Sequence, residues 1–295
     1  MTVRPPGPLV DATWLRDALK RASRRDLTVA DVRWYPDRDA RQAYEQGHIP
    51  GAVHVDANRD LAGAVEGESG RHPLPDPGAF AAAMSRLGIG DDTVVVAYDD
   101  ASGSVAARLW WMLAVTGHAV AVLDGGLRAW IGPVETGPPG ERIPAAFTPR
   151  PWPAEGIVGH GDIDRMRSDP SAVILDARAA ERYRGEVEPI DPVAGHVPGA
   201  RNAPWADNVD PETGKFRSPE DLRRRYGELG VDGEREVAAH CGSGLTACHD
   251  LLALEVAGLR GGKLYVGSWS GWIADPTRPV ARGPDGVDEA GPDRP

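Results

Sequence analysis

Short apolar runs alternate along the chain with longer segments in which apolar residues recur at helical spacing. In the second half the short runs lie at residues 172–175, 237–239 and 263–266, and the helix-like segments lie at residues 222–226 and 245–257. Gly258 follows the last of these segments and is a typical helix stop signal. Strands that alternate with helices predict an α/β fold, in which helices flank both faces of a parallel sheet.

The same landmarks occur twice in the same order. GHIPGA at residues 47–52 recurs as GHVPGA at residues 195–200, and each follows an acidic-x-arginine triplet, at residues 31–33 and 176–178. Each is then followed by a leucine-glycine pair, an apolar run, a loop of small residues and a Gly…Trp ending. An ordered repeat of this kind predicts two homologous domains of about 120 residues, which is a common domain size.

We place the first domain at residues 9–136 and the second at residues 157–276. Residues 137–156 are rich in proline and glycine and are predicted to be an extended linker. Residues 277–295 consist largely of proline, glycine and acidic residues and are predicted to be a disordered tail.

The composition is globular and excludes several classes of protein. No run approaches the ~20 consecutive apolar residues of a membrane span, and a formal charge of −11 argues against nucleic-acid binding. Residues 1–8 lack the apolar core of a signal peptide, so we expect a cytoplasmic location. Cys241 and Cys248 are too few for a disulfide framework, and their spacing is not that of a zinc site.

Cys241 opens a loop, HCGSGLTA at residues 240–247, between a predicted strand and a predicted helix. Ligands bind beyond the carboxyl ends of parallel strands, and the loop lies at such an end. Its glycines allow a tight curl that points N–H groups inward at a helix N-terminus, which favours an anion. The setting indicates a thiolate nucleophile at Cys241, with a buried structural cysteine as the alternative. Cys248 has no such loop and is expected in the core, with a resolving role as its alternative.

In combination these motifs resemble the tandem-domain rhodaneses, a family of thiosulfate and 3-mercaptopyruvate sulfurtransferases. The resemblance covers residues 9–274 and rests on the GH[IV]PGA segments, the Tyr98-Asp99 pair, the GG…W and GSW…W endings and the CxxGxTA loop. It implies two rhodanese-like domains, of which only the C-terminal one is catalytic. The first domain would be structural and would lend residues to the cleft between the domains, with Asp100 about where its cysteine would be.

The resemblance implies that Cys241 attacks the sulfane sulfur of a small anionic donor and becomes a persulfide. The loop amides would stabilise the persulfide; they belong to Gly242, Ser243, Gly244, Leu245 and Thr246. A thiol, cyanide or a protein would then accept the sulfur, with no metal, organic cofactor, nucleic acid or membrane involved. Arg182 would bind the donor, the alternative being a surface helix arginine. Arg178 is expected to pair with Asp176 and not to bind a ligand.

The preferred donor stays open between thiosulfate and 3-mercaptopyruvate. CGSGLTA resembles the loop of the mercaptopyruvate type, in which a serine, a histidine and an aspartate are proposed to form a relay. Ser243 and His72 match the first two, although His72 can also be a surface loop residue. The third position falls near Asn58, with Asp56 two residues earlier, and an asparagine cannot stabilise an imidazolium as a carboxylate does. The mercaptopyruvate type also holds the donor carboxylate with an arginine, and Ile190 stands at that position here.

Two other functions compete with sulfur transfer. A cysteine phosphatase needs an arginine six residues after its cysteine, and Ala247 occupies that position. A non-catalytic sulfur-carrier or binding module of the rhodanese type tends to lack the cysteine, whereas this chain has both the cysteine and its loop. Release of thiocyanate or sulfide separates the enzyme from the module.

Cys241→Ser should abolish sulfur transfer, because a serine hydroxyl is not ionised at neutral pH and cannot form a persulfide. Cys248→Ser should keep most of the activity and lose some stability. Initial rates of thiocyanate formation from either donor check both variants. An active Cys241→Ser beside an inactive Cys248→Ser would move the site to Cys248.

Overall fold

The computed structural model describes residues 3–284 and 287–289, and the chain divides into two units. The first unit contains the chain up to Gly63 together with Leu74–Pro153 and Val209–Phe216; the second contains Ala64–Pro73, Ala154–Asn208 and the chain from Arg217 onward. The second unit therefore includes a segment, Ala64–Pro73, that comes from the first half of the sequence. We call it the inserted segment.

In its described part the first unit contains five strands: β1 (Leu9–Val10), β2 (Leu27–Asp31), β3 (Val53–His54), β4 (Val94–Tyr98) and β5 (Val120–Leu123). They form one parallel sheet in the order β1-β5-β4-β2-β3. The helices are α1 (Ala12–Arg21), α2 (Ala40–Gln46), α3 (Ala57–Asp60), α4 (Pro77–Arg86), α5 (Ala106–Val115) and α6 (Gly126–Ala129).

The second unit repeats this topology strand for strand. Its described parallel strands are β6 (Ile157–Val158), β7 (Ala172–Asp176), β8 (Ala200–Asn202), β9 (Glu236–His240) and β10 (Lys263–Tyr265), in the order β6-β10-β9-β7-β8. Its helices are α7 (His160–Met166), α8 (Ala180–Tyr183), α9 (Pro219–Glu228), α10 (Ala247–Val256) and α11 (Ser268–Trp272), with short 3₁₀ turns at Ala154–Gly156 and Trp205–Asn208. The predicted α/β fold, with two parallel sheets flanked by helices, is confirmed.

The central strands explain why the sheets are parallel and covered. The sequences of β4, VVVAY, and β7, AVILD, are buried along their whole length. A strand that is apolar on both faces needs helices on both sides of the sheet. The helix α9 begins at Pro219, before the predicted segment at residues 222–226, because Ser218 accepts a hydrogen bond from the N–H of Asp221 and Pro219 fits the first turn.

A buried ion pair ties each acidic-x-arginine triplet to its GH[IV]PGA segment. In the second unit Nη2 of Arg178 lies 2.6 Å from Oδ2 of Asp176 and donates to the carbonyl oxygen of Gly195 at 2.8 Å. The arginine of the first triplet makes the same contacts at 2.7 and 2.8 Å. The Arg178 and Asp176 side chains are 1% and 0% exposed, so Arg178 is a structural ion-pair residue, as expected.

The histidine of the GH[IV]PGA segment is also structural. The ring of His196 stacks on Tyr183 at a centroid distance of 3.7 Å, and its Nδ1 lies 2.7 Å from the Tyr183 carbonyl oxygen. Burial lowers the pKa of His196, which keeps the ring neutral near pH 7. The Tyr183 hydroxyl in turn donates to the carbonyl oxygen of Ala200 at 2.7 Å. The repeated motif therefore fixes the turn between α8 and β8.

The sheet registers correct the position that was expected to replace the cysteine in the first unit. They align Tyr98, the last residue of β4, with His240, the last residue of β9. Asp99, and not Asp100, is therefore equivalent to Cys241. Sequence spacing alone placed the equivalent residue one position too late, because the first loop is one residue longer before its helix.

The carboxylate of Asp99 fills the loop of the first unit. Asp99 is buried, and its oxygens accept hydrogen bonds of 2.8–2.9 Å from the N–H groups of Ala101, Gly103, Val105 and Ala106. A loop whose N–H groups converge on one point favours an anion there. The first unit supplies that anion from its own chain.

Residues 137–153 of the predicted linker belong to the first unit, and residues 154–156 belong to the second. Phe147 stacks on His118 at a centroid distance of 4.3 Å, and Nε1 of Trp152 donates to the carbonyl oxygen of Pro75 at 2.8 Å. These contacts hold residues 137–153, which form no helix or strand, in one place.

The structure corrects the prediction of a disordered tail for the part that it describes. β11 (Val280–Arg282) pairs antiparallel with β12 (Val287–Glu289), and buried Ala281 exchanges backbone hydrogen bonds of 2.8 and 3.0 Å with His196. The tail was predicted to be disordered from its overall composition. Its short apolar pair, Val280-Ala281, is nevertheless buried. Residues 285–286 and 290–295 of the predicted tail lie outside the described residues.

Asp99→Ala should lower the free energy of unfolding by about 3 kcal/mol or more, because several buried N–H groups lose their acceptor and each costs about 1–3 kcal/mol. Urea unfolding of the full chain checks this. Asp100→Ala is the matched control: Asp100 is exposed, and its loss should cost less than about 1 kcal/mol. Equal effects of the two substitutions would contradict the assignment of Asp99.

Candidate active site

The Cys241 loop connects the end of β9 to the start of α10. Gly244 has φ +88°, a conformation that favours glycine, and it turns the chain back over the cysteine. The side chain of Cys241 is buried, with 2% of the residue exposed. The loop therefore holds a nearly enclosed sulfur atom at the carboxyl end of a central strand.

Backbone N–H groups point at this sulfur. The N–H of Gly244 donates to Sγ of Cys241 at 3.1 Å and that of Ser243 at 3.4 Å. Such donors stabilise negative charge on the sulfur. Leu245 and Thr246 lead into α10, where their carbonyl oxygens accept hydrogen bonds from the N–H groups of Cys248 and His249.

Gly242 serves the site by its small size. Its φ lies outside the left-handed region, so of the two loop glycines Gly244 alone uses the conformational freedom of glycine. A Cβ at this position would lie 3.0 Å from Nη2 of Arg71 and 3.6 Å from Nη2 of Arg182. The missing side chain leaves room for guanidinium groups next to Cys241.

Ser268 holds the backbone of Cys241 and was not identified from the sequence. Its Oγ accepts from the N–H of Cys241 at 3.3 Å and donates to the carbonyl oxygen of Tyr265 at 3.0 Å. Ser268 is buried with φ +51°, which is rare for a residue other than glycine and is retained only where the surroundings require it. The N–H of Trp269 also donates to the Cys241 carbonyl oxygen at 2.9 Å. The GSW ending was the available signal.

His72 lies against the loop and not on the surface. Its Nδ1 is 2.7 Å from Oγ of Ser243, and both residues are buried at 7% exposure. The pairing of these two predicted residues is therefore present in the second unit.

The third relay position lies in the first unit, where both candidates have local partners. Oδ1 of Asn58 accepts from Nε1 of Trp34 at 3.1 Å, and Oδ1 of Asp56 accepts from the N–H groups at the start of α3. Asp56 is the N-cap of that helix.

The inserted segment brings His72 and Arg71 to the site by close backbone packing. A Cβ on Gly70 would lie 2.4 Å from the carbonyl oxygen of Gly267, so only glycine allows this approach. The N–H of Arg71 donates to Oγ of Ser270 at 3.0 Å. Sequence reasoning missed Arg71, because nothing local distinguishes it from other surface arginines.

A chain of alternating charges runs from β7 to the loop. Glu188 bridges Arg178, at 3.4 Å, and Arg182, at 2.6 Å; Asp191 bridges Arg182, at 3.3 Å, and Arg71. Burial opposes ionisation of Glu188, yet hydrogen bonds from Arg182 and the backbone hold its pKa below the usual value. Arg182 is therefore a fixed cation beside the loop, and not a free surface arginine.

Cys248 lies in the first turn of α10 and is fully buried. Its Sγ donates to the carbonyl oxygen of Gly244 at 3.5 Å. This contact links the first turn of α10 to the Cys241 loop. The burial of Cys248 agrees with its expected position in the core.

A model of the rhodanese-like domain matches the chain at residues 11–132 and again at residues 160–275. The chain belongs to the rhodanese family. Each match contains four of the five strands of one sheet, together with its GH[IV]PGA turn and the loop before α5 or α10. The two matched ranges agree with the two structural repeats, so the chain contains two rhodanese domains in tandem.

Similar proteins extend over nearly the whole chain. A Pseudomonas aeruginosa protein named for 3-mercaptopyruvate sulfurtransferase activity is 46% identical over 89% of this chain and 95% of its own length. A Mycobacterium tuberculosis protein named for thiosulfate sulfurtransferase activity is 39% identical over 87% and 91%. The crystal structure of SseA from Escherichia coli, which represents the rhodanese fold of 3-mercaptopyruvate sulfotransferases, has a TM-score of 0.78 at 33% identity and covers 90% of this chain and 99% of that one. This rhodanese is a sulfurtransferase.

Within residues 3–284 and 287–289, no helix has the length and apolar character that crossing a membrane requires.

The rhodanese also carries a fully buried acid, Asp250, on α10. Asp250 accepts from Nδ2 of Asn208 at 2.8 Å and from the Tyr226 hydroxyl at 3.2 Å through Oδ1, while Oδ2 has no hydrogen-bond partner among the described residues. Burial raises the pKa of Asp250 to about 7.

Asp250 should make the rhodanese less stable as the pH rises from about 4 to about 7. In that window the folded state keeps a proton that the unfolded chain releases, so the unfolding free energy falls by up to about 1.4 kcal/mol per pH unit. Asp250→Asn should flatten the slope in urea unfolding at pH 5, 6 and 7. Asp221, whose pKa a hydrogen bond from Ser218 lowers, is the control: Asp221→Asn should leave the slope in this window unchanged. An unchanged slope in Asp250→Asn would contradict the protonated assignment.

Proposed function

We propose that Cys241 is the nucleophile of this sulfurtransferase and carries the transferred sulfur as a persulfide. Support comes from the N–H groups of Gly244 and Ser243, which lie 3.1 and 3.4 Å from Sγ. They stabilise a thiolate before the transfer and an anionic persulfide after it. The Cys248 thiol, by contrast, donates to the carbonyl oxygen of Gly244 at 3.5 Å.

Both candidate donors give a balanced reaction at this sulfur. With thiosulfate, the Cys241 thiolate attacks the sulfane sulfur, the S–S bond breaks, and sulfite leaves with the electron pair. With 3-mercaptopyruvate, the C–S bond breaks, and the pyruvate enolate leaves with the electron pair and takes up the proton of the thiol. In each case the product is an anionic Cys241 persulfide, from which cyanide, a thiol or a protein thiol takes the outer sulfur and restores the thiolate.

3-Mercaptopyruvate is the preferred donor in this proposal. Its enolate needs a proton at carbon as it leaves, whereas sulfite needs none. Ser243 and His72, whose Oγ and Nδ1 lie 2.7 Å apart beside Cys241, can pass the proton. This hydrogen bond is the observation that favours 3-mercaptopyruvate as the donor. The isoleucine at position 190, where the mercaptopyruvate type has an arginine, favours thiosulfate.

The first unit has no part in the chemistry. Asp99 occupies the position of the cysteine, and its carboxylate, which has no sulfur to transfer, takes the hydrogen bonds of the loop. The rival phosphatase activity has no support, because buried Ala247 stands where the phosphate-binding arginine is required.

Ser243→Ala should lower kcat with 3-mercaptopyruvate about a hundredfold, which is typical of the loss of a general acid. The same variant should lose less than about tenfold with thiosulfate, whose leaving group needs no proton. His72→Ala should behave alike, and the double variant should be no worse than either single one, because the two residues act as a unit. Pyruvate and sulfite release measured side by side check this.

Thiosulfate is the internal control of that experiment. An equal loss with both donors would mean that Ser243 and His72 only shape the loop, and the preference for 3-mercaptopyruvate would lose its support.

A further inference from the structure

The guanidinium groups of Arg71 and Arg182 reach the residue after Cys241 from different segments. Arg182 lies on α8, and Arg71 lies on the inserted segment. Their Nη2 atoms lie 3.0 and 3.6 Å from the point that a Cβ on Gly242 would occupy. Like charges this close repel each other, so the arrangement depends on anions that hold it.

Buried carboxylates hold both arginines from the inner side. Asp191 bonds to Nη1 of Arg71 and lies 3.3 Å from Nη2 of Arg182, and Glu188 lies 2.6 Å from Arg182. The side chains of Asp191 and Glu188 are 2% and 4% exposed, whereas Arg71 is 34% and Arg182 17% exposed. The carboxylates are therefore enclosed, and the guanidinium groups remain accessible to a ligand.

Ile190 takes part in the charge network through its backbone N–H group and not through its side chain. The N–H of Ile190 donates to Oε1 of Glu188 at 3.1 Å, while its side chain is half exposed, at 50%. The Ile190 side chain thus supplies no cation, and Arg71 places one beside the loop from a distant part of the sequence.

We propose that Arg71 and Arg182 together bind the carboxylate of a 2-oxo acid donor, and that Arg71 determines the preference for such a donor over thiosulfate. This inference rests on the proposed function. A planar carboxylate matches the forked donors of a guanidinium group. In 3-mercaptopyruvate the carboxylate lies farther from the reacting sulfur than the oxygens of thiosulfate do from theirs. A second guanidinium group therefore meets an anion only in the longer donor.

Arg71→Gln tests the proposal in the full chain. The KM for 3-mercaptopyruvate should rise about tenfold to a hundredfold while kcat changes less than about threefold, because the contact is made with the unreacting end of the donor. With thiosulfate, kcat/KM should change less than about threefold. Arg71→Lys keeps the charge opposite Asp191 but lacks the paired donors of a guanidinium group. Its KM for 3-mercaptopyruvate should lie between those of the wild type and Arg71→Gln.

Arg184→Gln is the matched control, because Arg184 follows α8 and pairs with exposed Glu186 away from the loop. Arg184→Gln should leave kcat/KM with both donors unchanged. Circular dichroism and Tm should show that all variants fold. An equal loss with both donors in Arg71→Gln, or no loss with either, would overturn the proposal.

Pyruvate provides a readout that does not depend on turnover. As a 2-oxo acid without sulfur it should bind the wild type, and calorimetry should show at least about tenfold weaker binding to Arg71→Gln. Equal pyruvate affinity in both proteins would overturn the role of Arg71. A wild type that transfers sulfur from neither donor would contradict the proposed function instead, and pyruvate binding would still decide on Arg71.

Discussion

The N–H groups of Ser243 and Gly244 point at the sulfur of Cys241, and the rest of the site depends on this interaction. It exists only because β9 ends at His240, Gly244 takes a left-handed conformation, and α10 starts within the next few residues. Ser268 fixes the cysteine backbone from α11. Each of these elements has a buried anchor, so the sulfur meets preformed donors and the loop does not have to reorganise during transfer.

Duplication of the fold shows what this loop does when the sulfur is absent. Both units end a central strand at the same register and continue into a helix through a loop whose N–H groups converge. In the first unit the converging groups bind the carboxylate of Asp99; in the second they bind the sulfur of Cys241. The same backbone geometry therefore holds an internal carboxyl group in one unit and leaves a reactive atom in the other. This difference of one side chain restricts the proposed chemistry to one unit.

Much of this could be predicted from local sequence, because strand burial, helix caps and the repeated GH[IV]PGA turns act over a few residues. The Cys241 loop also has a local signature. Arg71 could not be found in this way, since its contact with Ser270 spans 199 positions and depends on the tight packing of Gly70. Asp99 was missed because a one-residue difference in loop length is visible only in the sheet register. The role of Gly242 as space for guanidinium groups likewise requires the three-dimensional arrangement.

The most direct test of the account is the position of the transferred sulfur. The wild-type chain is treated with 3-mercaptopyruvate or thiosulfate without an acceptor, alkylated and analysed by fragmentation mass spectrometry that separates Cys241 from Cys248. The account predicts one added sulfur atom on Cys241, which disappears when cyanide is added before alkylation. An added sulfur on Cys248, or none on either cysteine while thiocyanate is still formed, would contradict it.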